Sequence, residues 1–249
     1  MSRLLIDIGN SSVKAAVMAD GELRGHVCAA ALSASLLEPL LDEWHPASVG
    51  LSVVGNPKDL HLLPRHLPTT RVSAAGPLPI AIDYLTPATL GADRIAAAAC
   101  AHKLAGGEAC VVIDAGTCIT VDLVDEKAVF RGGAIMPGLD MKFRALHNFT
   151  ANLPLLSVET LLSSPDMLSP DNLLGRSTSQ SLQVGVVAAT RMALKAMVEC
   201  HKDRHPRLQV LLTGGYGELF ADAFGVATRY EPNLVLLGID EIMNYETEN

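Results

Sequence analysis

The sequence contains few aromatic residues and no excess of positive charge, and both shortages restrict what the protein can be. Phe, Trp and Tyr make up 4% of the 249 residues, so Leu, Ala, Val and Ile must fill the core. The 19 Lys and Arg are outnumbered by 27 Asp and Glu, which gives a net charge of −8. This charge argues against a dedicated DNA- or RNA-binding protein, because such proteins neutralise phosphates with a basic face. It does not exclude a small anionic ligand in a local pocket.

Paired cysteines and long apolar runs are also missing. None of the five cysteines is spaced CxxC, so neither a disulfide framework nor a zinc site is expected, and a reducing cytoplasm is the expected compartment. No run approaches 18 apolar residues, which predicts no membrane span. Asp7 interrupts the apolar N-terminal segment, which argues against a signal peptide. The overall content of 49% hydrophobic and 18% charged residues indicates a folded chain.

An internal repeat is the main organising feature of the sequence. A shift of 107 positions places residues 4–9 on residues 111–116, and the match continues without a gap, with Gly25 on Gly132. Each copy has the order apolar strand, Asp-x-Gly turn, second strand, polar turn, third strand. Because the period is the size of a domain, it predicts an α/β protein with two similar halves, at about 1–108 and 109–249. Chance similarity of two β-meanders is the alternative.

Helix signals follow each predicted group of strands. An Ala-rich helix is expected over about 90–104, before a Gly-Gly pair. Ser177 and Gln180 form a capping box that predicts a helix running to about Cys200. A strand at 208–212 and a last helix beginning near Pro232 complete the prediction.

Two Asp-x-Gly motifs stand at the same point of the repeat, at Asp7–Gly9 and Asp114–Gly116. In each, a strand delivers a carboxylate to a turn whose glycine allows a ligand close to the backbone, and turn N–H groups bind anions. Carboxylates repel phosphate, so their expected role is to hold cations that neutralise a polyphosphate. Lys14 would contact a phosphate directly. A tight turn with a solvated lysine is the simpler alternative for one motif, and the repetition favours the ligand site.

Two further motifs carry weaker signals. The glycines of Thr213-Gly214-Gly215 would let a flat ligand such as adenine lie on the backbone, although strand-to-helix turns often use glycine anyway. Asp93 opens a helix, where the helix dipole stabilises a carboxylate anion. It would accept a hydroxyl proton, and Arg94 beside it would bind a substrate carboxylate. The alternative is simple dipole complementarity with a solvated Arg94.

Taken together, these motifs resemble the type III pantothenate kinases of the acetate kinase, sugar kinase, Hsp70 and actin superfamily. The resemblance runs nearly end to end, and Tyr84 with Gly91-Ala-Asp93-Arg94 is its most specific part. Ser11 stands where members often carry Thr, and both residues have a hydroxyl. The resemblance implies two ribonuclease H-like (actin-like ATPase) halves that share a nucleotide cleft. The implied reaction converts ATP and pantothenate to ADP and 4′-phosphopantothenate, the first step of coenzyme A synthesis.

The resemblance also implies a role for each matching residue. Asp93 would be the catalytic base, and Asp7 would place Mg²⁺ through water. Asp114 would hold a monovalent cation, K⁺ or NH₄⁺. Thr178 would contact pantothenate across a homodimer interface. The remaining pantothenate site would comprise Tyr84, Gly91, Ala92 and Arg94, and the ATP site Asp7, Ile8, Gly9, Asn10, Ser11, Ser12, Val13, Lys14, Thr117, Gly214 and Gly215.

Two other functions stay open at this point. A kinase of the same fold could act on another small alcohol, but the segment from Tyr84 to Arg94 favours pantothenate. A regulatory ATP-binding accessory factor is the non-enzyme alternative, and the complete set of acidic residues favours catalysis. The expected partners are therefore ATP and pantothenate in a cytoplasmic homodimer, without nucleic acid or membrane.

Overall fold

The computed structural model describes residues 2–54, 57–159 and 173–248, without the side chains of residues 57–59. The described strands are β1 (Arg3–Ile8), β2 (Val13–Ala19), β3 (Glu22–Ala29), β4 (Ser48–Val53), β5 (Thr69–Arg71), β6 (Ala81–Ile82), β7 (Cys110–Ala115), β8 (Cys118–Val124), β9 (Val129–Pro137), β10 (Gln209–Thr213) and β11 (Thr228–Tyr230). The described α-helices are α1 (Ala34–Trp44), α2 (Ala92–Leu104), α3 (Leu139–Asn148), α4 (Thr178–Gln183), α5 (Ala189–Lys202) and α6 (Leu234–Glu248). A π-turn covers Val184–Ala188, and 3₁₀ turns cover Pro57–Leu62, Pro87–Thr89 and Gly217–Phe220.

The first sheet has the strand order β3-β2-β1-β4-β5. Strands β1, β2 and β3 form an antiparallel meander, and β4 and β5 extend it in parallel with β1. Asp20 and Gly21 join β2 to β3 with φ values of 52° and 79°, which is the left-handed backbone that a two-residue hairpin turn needs. This confirms the predicted turn. Helix α1 packs its apolar side, with buried Leu37, on the core of this sheet.

The second sheet has the order β11-β10-β7-β8-β9-β6. Strand β7 begins and ends 107 residues after β1, and β9 begins 107 residues after β3. The repeated meander of the sequence is therefore present in the backbone. Its second polar turn, after β8, uses a left-handed residue at Ala128, where φ is 57°.

The chain folds as two compact units. Unit 1 comprises Met1–Val112, Asp122–Gly132 and Asn233–Asn249, and unit 2 comprises Ile113–Val121 and Gly133–Pro232. The predicted boundary at 108/109 rests on the sequence repeat. The two compact units reflect which residues contact each other, which is a different property, so the boundary at 108/109 stays a prediction.

Helix α6 packs against α2 within unit 1. The two backbones approach so closely at Gly238 that a Cβ there would collide with the carbonyl group of Ala96. Small residues at the crossing allow this approach, which explains why α2 is rich in alanine. The predicted helix over 90–104 is confirmed, with its start at Ala92.

The predicted capping box begins α4, where the Ser177 side chain accepts a hydrogen bond from the Gln180 N–H. The Gln180 side chain accepts instead from the N–H of Arg176, one residue before the cap. A π-turn separates α4 from α5, and the sequence pattern did not predict it.

By length and composition alone, residues Thr178–Lys202 would suffice to cross a membrane. A core helix of a soluble protein passes the same test, so this is weak support for a span. Arg191 ties α5 into unit 2, because its side chain bonds the Leu219 carbonyl (3.1 Å) and the Asp222 carboxylate (2.6 Å).

Candidate active site

The first Asp-x-Gly turn brings together three predicted residues in unit 1. Asp7 lies at the end of β1, directly opposite Lys14 on β2. The Gly9 N–H donates to the Ser12 carbonyl over 2.9 Å and closes the turn. A Cβ at Gly9 would lie 3.2 Å from that carbonyl oxygen, so the turn has little space for a larger residue.

The carboxylate of Asp7 is an unusual buried group. Its Oδ1 has no hydrogen-bond partner among the described residues. Burial raises the pKa of Asp7 to about 6. The charge of Asp93 adds to this effect, while the Ser52 hydroxyl and the Lys14 ammonium oppose it. A buried carboxylate oxygen without a partner suits a cation ligand, and oxygen is the donor that Mg²⁺ prefers.

Asp93 lies in the first turn of α2, as predicted. Its Oδ1 accepts a hydrogen bond from the Arg94 N–H over 2.8 Å. A Cβ on Gly91 would come within 2.5 Å of the same oxygen, so glycine there makes room for the carboxylate. Burial raises the pKa of Asp93, and the Arg94 N–H and charge only partly offset it. The net direction is upward because burial is the largest of these effects.

Arg94 is buried, with 7% of its side chain exposed. Its Nε donates to Asp122 Oδ2 over 3.0 Å, and its Nη2 bonds Asp122 Oδ1. The guanidinium carbon lies 5.8 Å from the ring centre of Tyr84 and 5.6 Å from that of Phe130. The alternative of a solvated Arg94 is wrong, because both its charge and its planar face have partners.

Sequence reasoning missed Asp122, Phe130 and Ser52. Asp122 was detectable in principle, because it places a carboxylate inside the apolar strand β8. Such a residue needs a buried cationic partner. Which cation it meets could not be determined without the fold.

A cavity of about 510 Å³ lies in unit 1 before α2. The cavity-lining residues include Gly91 and Ala92, which were predicted to contact pantothenate, while Tyr84 and Arg94 are not among them. The cavity lining comprises Val53, Val54, Val72, Ser73, Ala74, Ala75, Pro87, Ala88, Thr89, Leu90, Gly91 and Ala92.

Unit 2 holds the second Asp-x-Gly turn, which begins at Asp114 at the end of β7. The Gly116 N–H donates to the Cys118 carbonyl over 3.0 Å. The Gly138 N–H donates to the Thr117 carbonyl over 3.1 Å, and a Cβ at Gly138 would collide with that carbonyl. The turn is thus held from both sides by backbone contacts.

The Thr213-Gly214-Gly215 motif packs on that turn. Gly214 has a φ of +82°, and a Cβ there would collide with Asp114 Oδ1 and the Ala115 backbone. A Cβ at Gly215 would meet no atom within 4 Å. The structure therefore brings Asp114 and Gly214 together and leaves the backbone at Gly215 accessible. The contact of Gly215 with a flat ligand stays a prediction.

Thr178 is the first residue of α4 and is exposed in unit 2. The other residues predicted for the pantothenate site, Tyr84, Gly91, Ala92 and Arg94, belong to unit 1. Among residues 2–54, 57–159 and 173–248, no group of three or more His, Cys, Asp or Glu side chains could hold a metal ion by itself. Any cation site would therefore depend on few carboxylates together with water or a bound ligand.

Solved structures identify the fold class. A Campylobacter jejuni protein described as a Baf family transcriptional activator is 22% identical, with a TM-score of 0.66, and the match covers 99% of this chain and 100% of that one. A Listeria monocytogenes protein described as an N-acetylmannosamine kinase is 13% identical, with a TM-score of 0.57, over 100% of both chains. The chain therefore shares the α/β fold of these two proteins, which confirms the predicted fold class.

Sequence comparisons assign the chain to a family, which is more specific than the fold class. The model of the type III pantothenate kinase family matches residues 3–200. A type III pantothenate kinase from Cytophaga hutchinsonii is 35% identical over 242 residues, which cover 97% of this chain and 98% of that relative. The chain belongs to the type III pantothenate kinase family. By this membership it is a pantothenate kinase, which confirms the prediction from the sequence motifs.

Proposed function

We propose that this chain transfers the γ-phosphate of ATP to the primary alcohol of pantothenate, with Asp93 as the catalytic base. The carboxylate of Asp93 at the start of α2 is the observation that carries this proposal. The alcohol proton passes to Asp93 as the alcohol oxygen bonds to the γ-phosphorus. The bond from that phosphorus to the β-phosphate oxygen breaks, and the products are ADP and 4′-phosphopantothenate. A raised pKa makes Asp93 a stronger proton acceptor.

The first Asp-x-Gly turn is proposed to bind the ATP phosphates. Lys14 supplies a positive charge opposite Asp7, and the turn N–H groups supply donors. Asp7 fits Mg²⁺, held through water, because its buried Oδ1 has no partner among the described residues. When bound, Mg²⁺ neutralises charge on the phosphates. The proposed phosphate-binding residues are Asp7, Ile8, Gly9, Asn10, Ser11, Ser12, Val13 and Lys14.

Pantothenate is proposed to bind beside Asp93, where Gly91 and Ala92 line the 510 Å³ cavity. Asp122 holds the guanidinium of Arg94 through Nε and Nη2, and this guanidinium is proposed to contact the pantothenate carboxylate. Tyr84 would pack against the ligand with the ring that already faces Arg94. The positive charge that recognises the carboxylate would then be held in place before the ligand binds.

Unit 2 is proposed to supply the cation and adenosine contacts. Asp114 holds K⁺ or NH₄⁺ through carboxylate oxygens, Thr117 contacts ATP, and Gly214 and Gly215 accept the flat adenosine group. The close approach of Gly214 to Asp114 supports this assignment, because a residue proposed to bind adenosine then lies next to the residue proposed to bind the cation.

Two further parts of the proposal concern assembly and compartment. Thr178 would contact pantothenate across a homodimer, and its exposure at the start of α4 leaves it available for such a contact. Two-fold dimers are the commonest oligomers. None of the five cysteines is spaced CxxC, and this spacing supports a cytoplasmic location.

A coupled ADP-release assay tests the proposed function. Purified protein with ATP, Mg²⁺ and K⁺ is expected to release ADP only when pantothenate is added. Pantetheine and a small sugar alcohol serve as comparison substrates. Release without dependence on pantothenate would contradict the proposal, and binding of ATP without turnover would favour the regulatory alternative.

A further inference from the structure

Tyr230 is a half-buried tyrosine of β11 in unit 2. Its hydroxyl donates to the Gly214 carbonyl over 3.2 Å. Its ring lies against Gly217, where a Cβ would come within 2.9 Å of the ring edge. Burial raises the pKa of Tyr230, and the charges of Glu218, Glu231 and Asp114 raise it further. The hydroxyl therefore stays protonated and remains a donor at neutral pH.

Gly214, whose carbonyl accepts the Tyr230 hydrogen bond, lies next to the carboxylate of Asp114. Gly214 has a left-handed φ of +82°, and only glycine fits beside the carboxylate, because a Cβ would collide with Asp114 Oδ1. The backbone at Gly214 and the carboxylate of Asp114 therefore restrict each other. A change in the direction of the Gly214 carbonyl would alter the space available to Asp114 Oδ1.

Tyr216 holds the other end of the same turn. Its N–H donates to the Ala115 carbonyl over 3.0 Å, and its hydroxyl donates to Asp140 Oδ2 over 2.6 Å. Asp140 lies in the first turn of α3, two residues after Gly138, and the Gly138 N–H donates to the Thr117 carbonyl. Tyr216 thus joins the glycine turn to the turn of the second Asp-x-Gly motif.

We infer that the hydroxyls of Tyr230 and Tyr216 are positioning groups for the nucleotide and its monovalent cation. Tyr230 fixes the Gly214 carbonyl and so the glycine backbone that lies next to the carboxylate of Asp114. Tyr216 fixes the far side of the turn on α3. Gly215 lies between these two anchors, and a Cβ there would meet no atom within 4 Å. The two hydroxyls hold the accessible backbone in place without contacting the ligand.

This inference rests on the proposed function, because it assigns Asp114 and Gly215 to the cation and the adenosine. If the hydroxyls served folding alone, their removal would lower the amount of active enzyme and therefore the maximal rate, without changing KM for either substrate. A positioning role changes the Michaelis constants, which do not depend on the fraction of enzyme that is active. Measurements of KM for ATP and of the K⁺ concentration for half-maximal activity therefore distinguish a positioning role from a folding role.

The test uses the full chain with the substitutions Tyr230→Phe and Tyr216→Phe, which remove one hydroxyl and keep the ring. Loss of one hydrogen bond of about 1 kcal/mol corresponds to a change of about fivefold. Tyr230→Phe is expected to raise both KM for ATP and the half-activating K⁺ concentration about fivefold. Tyr216→Phe is expected to raise KM for ATP by a similar factor and to affect K⁺ less, and KM for pantothenate is expected to stay within about twofold in both variants.

Tyr245→Phe is the control, since Tyr245 lies on α6 in unit 1. This variant is expected to keep the wild-type KM for ATP, KM for pantothenate and half-activating K⁺ concentration. Unchanged KM for ATP and unchanged K⁺ activation in Tyr230→Phe would overturn the inference, as would an equal rise in KM for pantothenate. A wild-type enzyme without pantothenate-dependent ADP release would instead contradict the proposed function, so the two failures are distinguishable.

Discussion

Arg94 and Asp122 form a bidentate ion pair in which 7% and 2% of the two side chains are exposed. Arg94 comes directly after Asp93 in the chain, and its N–H also donates to the Asp93 carboxylate. The guanidinium is therefore part of the structure that holds the proposed base. This gives Arg94 a structural function in addition to the proposed contact with pantothenate.

Substitution of Asp122 by Asn tests the contribution of this pair. Removing one partner leaves a buried Arg94 charge uncompensated, which costs about 3 kcal/mol in the free energy of unfolding. Urea unfolding of Asp122→Asn measures the loss. Glu22→Gln is the matched control, because Glu22 pairs with Arg24 at the surface, with 66% and 50% exposed. It should change stability by less than about 1 kcal/mol. Equal effects in both variants would contradict the role of burial.

Substitution of Asp93 by Asn tests the catalytic base. The amide cannot accept the alcohol proton, so turnover is expected to fall about 100-fold or more. ATP affinity should remain nearly unchanged, since the proposed phosphate contacts come from other residues. Steady-state kinetics with calorimetric ATP binding separates the two effects. Wild-type turnover in Asp93→Asn would refute the assignment.

The pH dependence of stability tests the burial of Asp7. Its pKa is about 6 in the folded chain, above the ordinary value of 3.8, so the folded state binds the proton more tightly than the unfolded state. The resulting stabilisation is present below the ordinary pKa and is lost as the pH rises through about 6.

Asp7→Asn removes this dependence because the amide carries no charge. In metal-free buffer the variant is expected to melt about 6 °C or more above the wild type at pH 7.5, with a smaller difference at pH 4.5. Turnover is expected to be largely lost. Asp20→Asn, on an exposed turn, controls for the removal of one carboxylate. A melting difference that is the same at both pH values would show that burial of the Asp7 charge is not the cause.

The proposed cation site at Asp114 predicts a dependence on the monovalent salt. Activity in K⁺ or NH₄⁺ should exceed activity in Na⁺ at the same ionic strength, because a site shaped by few protein oxygens selects by ion size. Asp114→Asn should weaken K⁺ activation about tenfold or more. Initial rates across a salt series measure both effects. Equal rates in K⁺ and Na⁺ would count against the site.

Two neighbouring glycines allow a matched comparison. Gly214→Ala is expected to destabilise unit 2 by about 2 kcal/mol, because the new Cβ collides with Asp114 and requires a strained positive φ. Gly215→Ala should leave the melting temperature unchanged, since its Cβ meets no atom within 4 Å. It should nevertheless raise KM for ATP about tenfold if adenosine lies on that backbone. An unchanged KM would place adenosine elsewhere.

Local patterns predicted a large share of this structure. The 107-residue repeat reappears as β1 and β7 with the same offset at both ends. The turn at Asp20 and the cap at Ser177 form as predicted. These features depend on residues that are close in sequence, so turn chemistry and periodicity suffice to find them. The motifs also sufficed to predict the family.

The sequence by itself therefore determined the two similar α/β halves and the family, and it named candidate site residues that remain to be tested by experiment. Only the tertiary structure showed that Asp122, 28 positions beyond Arg94, holds its guanidinium. Only the fold revealed the burial that raises the pKa of Asp7 and Asp93. The physical reason is that burial and ion pairing depend on which distant segments pack together, and no pattern of neighbouring residues contains that information.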